Sequence, residues 1–501
     1  MHVFNWIIKK ATFAFALLSL VACEDFLTQS DPSNFTSQNY YTKPEHAQSA
    51  VDAIYVDLRQ IRGGSNSGAA WLMTEFASGL GNTTALGSAQ NNLTFRNLEF
   101  DPNNPYGASY WNSHYRGIAN ANIAIQKIPD ITMDEGLKNR LLGEARFLRA
   151  YYYYNLVRLF GEVPLILEPV DLGSDNFMPL RAPINDVYQL IVSDLQTAET
   201  AGLPYTSIAG RVSLGAVQSL LADVYLTMAG YPLNLGTAYY TLARDKAKEV
   251  VDANMHHLFQ SYDSLRMEGS ENQGEHIFMT QFDQNVANHN GLQLILIPFN
   301  APISNIEGYG MLYPVIEFVE SYEDGDRRAE EKQFFYTSYG AASDRSQIIE
   351  FGAPYIYKWF DDNANVSGNI SGLNWPLIRF AEVLLTYAEA ENEVSGPTAL
   401  AYQALNQIRK RANLADLSGL STEDFREAVW RERWHELCYE NKTWFDMARL
   451  RKVYNLRTGR FDEFVGHQFV YGPTLSSREL LFPIPESEIL NNKNLTQNEG
   501  Y

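Results

Sequence analysis

The chain has 501 residues, 45% of them apolar and 20% charged, the make-up of a folded body large enough for one big domain or two to three ordinary ones. A formal net charge of −20 argues against a nucleic-acid partner, because duplex binding needs clustered Lys and Arg to displace counterions. With 30 Tyr, 27 Phe and 8 Trp, rings must fill much of the interior, and a minority on loops would suit a binding surface.

Lys9 and Lys10 precede an apolar stretch from Ala11 to Ala22, and the small residue Ala22 stands before Cys23. This is the pattern of a secretory signal over residues 1–22, and it is shorter than the roughly 20 apolar residues a membrane helix needs. Leu20-Val21-Ala22-Cys23 resembles the lipobox of bacterial lipoproteins. The resemblance implies lipid attachment at Cys23, where several acyl chains anchor stably and one alone is marginal. Cys438, the other cysteine, then has no intramolecular disulfide partner and reads as a small core residue.

Helical periodicity dominates the rest. Residues 43–61 carry a helix-start proline and apolar spacing through Ala50, Ile54 and Leu58. Residues 106–122 place Trp111, Tyr115, Ile118 and Asn122 at helical steps, which reads as core. Residues 140–161 form one stripe through Leu141, Ala145, Leu148, Tyr152, Leu156 and Leu159, stopped by Gly161 and Pro164. Two helix pairs follow, 210–230 with 237–253 and 376–394 with 399–412, each joined by a short proline-containing turn. They resemble degenerate tetratricopeptide units, which must stack to bury their faces; 43–61 and 423–451 are further candidates. Long Gly/Asn/aromatic stretches at 62–110, 270–315 and 352–374 interrupt the helices, and loops of that length are usually functional.

Catalytic patterns mostly fail. "WHELCYE" (434–440) offers His435 and Glu436 but has Tyr439 where a zinc helix needs its second histidine. Arg211 occupies the first glycine of a would-be nucleophile elbow, and no glycine-rich phosphate loop ends in Lys-Ser/Thr. Paired carboxylates for glycoside hydrolysis stay open among 59 acids. Asp324 and Asp326 miss calcium-loop spacing, so a turn with left-handed Gly325, tied by Arg327 or Arg328, is the expected reading.

Four segments together resemble the SusD-like (RagB/SusD) outer-membrane lipoproteins: "ARFLRAYYYYNLVRLFGEVPLI" (145–166), "WPLIRFAEVLLTYAEAENEV" (375–394), "RERWHELCYENKTWFDMARL" (431–450) and "LFPIPESEILNNKNLTQNEGY" (481–501). "SYEDGDRR" (321–328) and "CEDFL" (23–27) also fit. The resemblance implies a mainly α fold of tetratricopeptide-like helix pairs with long ligand-binding loops over residues 23–501. Its N-terminal part would cover about 23–230 and its C-terminal part about 260–501. Physically these motifs read as structural. Glu432, Glu436, Arg449 and the two tryptophans of 431–450 should make a buried ion-pair and stacking cluster, and Ile484 should plug an apolar groove.

The resemblance further implies a non-enzymatic lipoprotein on the outer face of the outer membrane. It would capture glycan, or in some members peptide, and pass it to a SusC-like TonB-dependent transporter; no cofactor or metal is implied. A surface glycosidase or peptidase and a pure scaffold for the transporter are the readings from other classes. Sugar C–H patches favour aromatic faces and hydroxyls favour Asn, Asp, Gln and Arg. Candidate ligand residues are therefore Trp71 and Asn82 in the first loop, Asn285, Tyr309 and Tyr313 in the second, and Trp359 in the third. Trp71 leads, because its small neighbours form no helical stripe.

Overall fold

A computed structural model describes residues 40–62, 71–83, 89–170, 177–284, 289–365 and 370–501. Its long helices are α1 (Pro44–Arg62), α2 (Pro105–Lys127), α3 (Glu135–Phe160), α4 (Ile184–Glu199), α5 (Leu214–Ala229), α6 (Thr237–Asp252), α7 (Phe380–Ser395), α8 (Ala399–Arg411) and α9 (Thr422–Glu436). Successive helices pack in chain order: α1 on α2, α2 on α3, and so on through α8, with α9 returning onto α7. The two helix pairs expected from sequence are α5–α6 and α7–α8, and α6 packs on α7, so the pairs stack into one array.

Local chemistry sets the helix ends. Asn104 Oδ1 accepts the Tyr106 N–H at 2.9 Å ahead of Pro105, and Asp134 accepts the Leu137 N–H at 2.8 Å, so each cap satisfies a donor the helix cannot. α3 ends at Gly161, whose φ of +73° suits a residue without Cβ.

The centre of the array is α3. Four successive residues span the circumference of a helix, and Tyr151, Tyr152, Tyr153 and Tyr154 are all buried, so neighbours enclose α3 on every side. Tyr152 donates to the Ile54 carbonyl of α1 at 2.6 Å, and Tyr153 to the Ile166 carbonyl at 2.9 Å. Tyr154 lies 2.6 Å from the Thr227 hydroxyl of α5, and Arg149 grips Asp194 of α4 through two hydrogen bonds of 2.7 and 2.8 Å. Gly117 of α2 faces Tyr152 so closely that a Cβ there would sit inside the ring.

Strands are few and paired as antiparallel ribbons: β1 (Gly81–Asn82) with β5 (Tyr313–Pro314), β2 (Val163–Pro164) with β3 (Arg181–Ala182), and β4 (His276–Thr280) with β8 (Trp375–Arg379). β6 (Phe335–Gly340) pairs with β7 (Ile348–Ile356), and β9 (Lys452–Asn455) with β10 (Arg460–Glu463). Under the β6–β7 hairpin, Ile297, Ile303, Tyr336, Tyr339, Tyr357 and Phe360 make a small core of their own beside the main one.

The expected ion cluster of residues 431–450 exists, but as two networks. Glu432 pairs with Arg328 at 2.6 Å and Arg409 at 3.3 Å, and Glu436 with Arg379, Arg411 and Arg328. Arg449 is not part of it. It holds Glu389 of α7 at 2.5 Å and Asp446 at 2.7 Å, and Asp446 also takes Arg433. Trp434 and Trp444 are buried but face different rings, Phe461 for the first and Phe464 and Phe482 for the second. Gly325 is left-handed at φ +83°, with Arg328 tied to Asp326, and Ile484 and Cys438 are fully buried. Among the described residues no helix is long and apolar enough to cross a membrane. Residues 1–22 and Cys23 lie outside the described residues.

Candidate functional site

The three long loops meet at one place, the first two through backbone pairing and the third by packing against them. Asn82 on β1 stands opposite Tyr313 on β5, and β5 in turn packs against β7. The Tyr313 ring is half-buried and lies 5.6 Å, centroid to centroid, from the ring of Tyr355 on β7, tilted by 46°. Its hydroxyl donates to the Thr83 carbonyl at 3.2 Å, fixing the ring against β1. Burial raises the pKa of both Tyr313 and Tyr355, so both stay neutral phenols at physiological pH. Tyr309, four residues before Tyr313, is 52% exposed, and its backbone N–H is held by the Leu294 carbonyl at 2.7 Å.

Polar groups flank these rings. Asn82 Oδ1 accepts from Arg96 Nε at 2.7 Å and from the Thr83 N–H at 2.9 Å, which leaves the side-chain NH2 as the group it can offer. The Arg96 guanidinium stacks over Tyr471, 4.0 Å from the ring centroid, and its Nη1 donates to Asn97. The result is a ledge of half-open tyrosines with an amide and a guanidinium at one side. Flat apolar faces beside fixed donors can hold a sugar ring by its C–H patch and its hydroxyls together. Among the described residues of the ledge, no nucleophile stands beside a base.

Asn82 and Tyr313 of the sequence candidates belong to this ledge, and the exposed Tyr309 precedes it by four residues in the chain. Asn285 lies outside the described residues. Trp71 and Trp359 do not belong, and this corrects the expectation for both. Trp71 is only 2% exposed and packs against Trp375 at 5.1 Å, while Trp375 packs at 5.1 Å against Trp359, whose Nε1 donates to the Tyr439 carbonyl at 3.1 Å. The three tryptophans fuse the first and third loops from within. A ring so covered has no face for a ligand. Small neighbours around Trp71 excluded a helix stripe, but burial here comes from Trp375, some 300 residues away. Tyr355, Arg96 and Tyr471 escaped the sequence reading because only the strand pairing and the stack place them here.

Comparison with known proteins decides the lineage. Residues 327–501 match the model of the SusD family, and residues 25–226 match the model described as starch-binding, associating with the outer membrane. The fold superposes on the crystal structure of a SusD superfamily protein from Parabacteroides distasonis with a TM-score of 0.87 and 38% identity, covering 93% of this chain and all of that one. The chain belongs to the SusD family. It is also 27% identical to SusD-like protein P2 of Formosa agariphila over 98% of this chain and 99% of that one. It is 24% identical to the starch-binding protein SusD of Bacteroides thetaiotaomicron over 77% of this chain and 76% of that one. In this SusD-family chain the ion network of Arg328, Arg379, Arg411, Glu432 and Glu436 falls inside a matched segment, whereas Tyr309 and Tyr313 lie between the two. The frame falls within the segments that match the family models, and part of the ledge lies between them.

Proposed function

We propose that this chain captures a glycan on the Tyr309–Tyr313–Tyr355 ledge and passes it to a SusC-like TonB-dependent transporter, performing no chemistry itself. Cys23 would hold it by lipid at the outer surface of the outer membrane. The observation that carries the reading is the ledge: half-open tyrosine faces with Asn82 and Arg96 fixed alongside. The starch-binding name of the Bacteroides thetaiotaomicron relative and the description of the N-terminal family model support the same class of ligand.

Calorimetric titration of residues 24–501 against plant, host and microbial polysaccharides and against peptide mixtures tests it. One glycan class should release heat saturably. Each aromatic contact contributes about 0.5–1.5 kcal/mol beyond its area, so a Tyr309→Ala/Tyr313→Ala variant should lose roughly tenfold or more in affinity. Heat with peptides alone would overturn the ligand class, and release of reducing sugar would overturn the non-enzymatic role.

A further inference from the structure

Where α3, α4, α5, the short helix Thr443–Leu450 and the C-terminal stretch 477–499 meet, they leave a cavity of about 220 Å³. It shares no lining residue with the ledge. The volume is below the roughly 300–1,000 Å³ usual for drug-sized ligands, so the cavity suits a smaller one. Its walls are mostly apolar, through Val157, Ile184, Pro232, Phe445 and Leu481. Tyr188 adds a buried ring, and Tyr231 a ring that is 44% exposed.

Four arginines line this apolar space, and they are not equally occupied. Arg449 is matched by Glu389 and Asp446, and Arg478 donates to Glu479 and to the Leu98 carbonyl. The Arg158 guanidinium lies between the rings of Tyr154 and Phe445, 3.6 and 3.9 Å from their centroids. Its Nε and Nη2 are hydrogen-bonded, whereas Nη1 stands 3.9 Å from Asp223, too far for a hydrogen bond, and is not sealed from water. Arg451 has no acid beside it. Its half-buried side chain makes no hydrogen bond or ion pair among the described residues, and none of its nitrogens is sealed from water. Partial burial of a cation is costly when no anion meets it. Yet its place is fixed. The Tyr231 N–H donates to the Arg449 carbonyl at 2.9 Å, and Gly230 lies so close to that carbonyl that a Cβ would clash. The Tyr231 ring is thereby set under the Arg451 guanidinium, 5.2 Å from centroid to carbon. Arg451 itself is left-handed at φ +55°, unfavourable for a residue with a Cβ, and such outliers persist where the surroundings impose them.

These groups select a ligand chemistry. A cation is repelled by Arg451 and Arg158. A sugar would strip water from its hydroxyls against walls that return few hydrogen bonds. A bare inorganic anion leaves the apolar walls wet. A carboxylate meets the open guanidinium of Arg451 in a charge-assisted, fork-to-fork contact, and an apolar body behind it displaces the water. Glu499, the one acid among the lining residues, is exposed and disfavours a second negative charge on the ligand. We propose that this cavity binds a small monocarboxylate with an aromatic body, its carboxylate on Arg451 and its ring among Tyr231, Phe445 and Leu481. The site stands on its own lining residues and does not depend on the ledge binding glycan.

Saturation-transfer NMR titration of residues 24–501 with 3-phenylpropionate tests it, with 3-phenylpropionamide, phenethylamine and acetate as comparisons. 3-Phenylpropionate should bind saturably. The amide, which lacks the charge, should bind roughly tenfold more weakly or worse, and phenethylamine and acetate should not bind. Arg451→Met keeps the stem and breaks no ion pair, so the chain should fold and lose roughly tenfold or more in affinity. Arg451→Lys should recover part of that loss, and Tyr231→Ala should weaken binding by removing the ring. Tyr309→Ala should leave it unchanged, so loss of ledge binding and loss of cavity binding read separately. Absence of 3-phenylpropionate binding, equal binding of the amide or of acetate, or binding indifferent to both Arg451→Met and Tyr231→Ala overturns the proposal.

Discussion

Three guanidinium groups, those of Arg379, Arg411 and Arg328, converge on the one carboxylate of Glu436, with the Tyr262 hydroxyl donating to it at 3.1 Å. Burial alone would raise its pKa. The pull of Arg411, Arg379, Arg328 and Lys358 outweighs burial and holds it at about 2, below its ordinary 4.5. A carboxyl that binds its proton more weakly folded than unfolded stabilises the fold above the unfolded value and loses that contribution as pH falls through the folded one. Stability should therefore decline from about pH 4.5 towards pH 2. Glu436→Gln leaves the arginines underpaired in the interior and should cost about 3–5 kcal/mol, with a flatter acid limb in urea denaturation series run across that window. An unchanged midpoint would contradict the role given to this network. Trp71 belongs to the same scale. Its ring is core, so Trp71→Ala should destabilise by about 3–5 kcal/mol in thermal or urea melts. Selective loss of glycan binding at full stability would contradict its burial.

At the scale of elements, the helices were legible because their pattern is local. Ile54 and Leu58 in α1, the stripe in α3, and the paired helices α5–α6 and α7–α8 each repeat at the 3.6 period within one stretch of chain. The ribbons were not, because pairing joins distant segments. β4 meets β8 about 100 residues on, and β1 meets β5 across about 230, so no window holds both partners. The ion cluster shows the same split. Glu432 and Glu436 read from sequence as buried acids, but their partners Arg328, Arg379, Arg409 and Arg411 come from elsewhere, and Arg449 pairs with Glu389 instead. The candidate site was half legible. Asn82 and Tyr313 stand together at the ledge and Tyr309 is exposed four residues before it, while Trp71 and Trp359 are inside, since composition cannot tell a ring on a loop from a ring under one. Helix contact makes its own prediction. Gly117→Ala pushes a Cβ into the Tyr152 ring and should force α2 from α3, costing about 1–3 kcal/mol by differential scanning calorimetry. A neutral outcome would mean the two helices are less closely engaged than the structure shows.

Across the whole molecule, the buried frame and the half-open ledge are separate parts. The helical array and buried ion networks make a stiff frame, much of it within the segments that match the family models. The ledge sits on short ribbons at one place on that frame, drawing Asn82, Tyr313 and Tyr355 from three loops. Ribbons pinned by the frame can change side chains without unsettling the core, which suits a scaffold whose relatives meet different ligands.

The claim on which the account turns is that the tyrosine ledge holds glycan. The direct measurement is titration of the glycan that binds residues 24–501 against Tyr309→Ala/Tyr313→Ala, with thermal melts confirming that the variant is folded. A folded variant with affinity down roughly tenfold or more is the predicted result. A folded variant that binds as tightly as the parent chain would contradict the account.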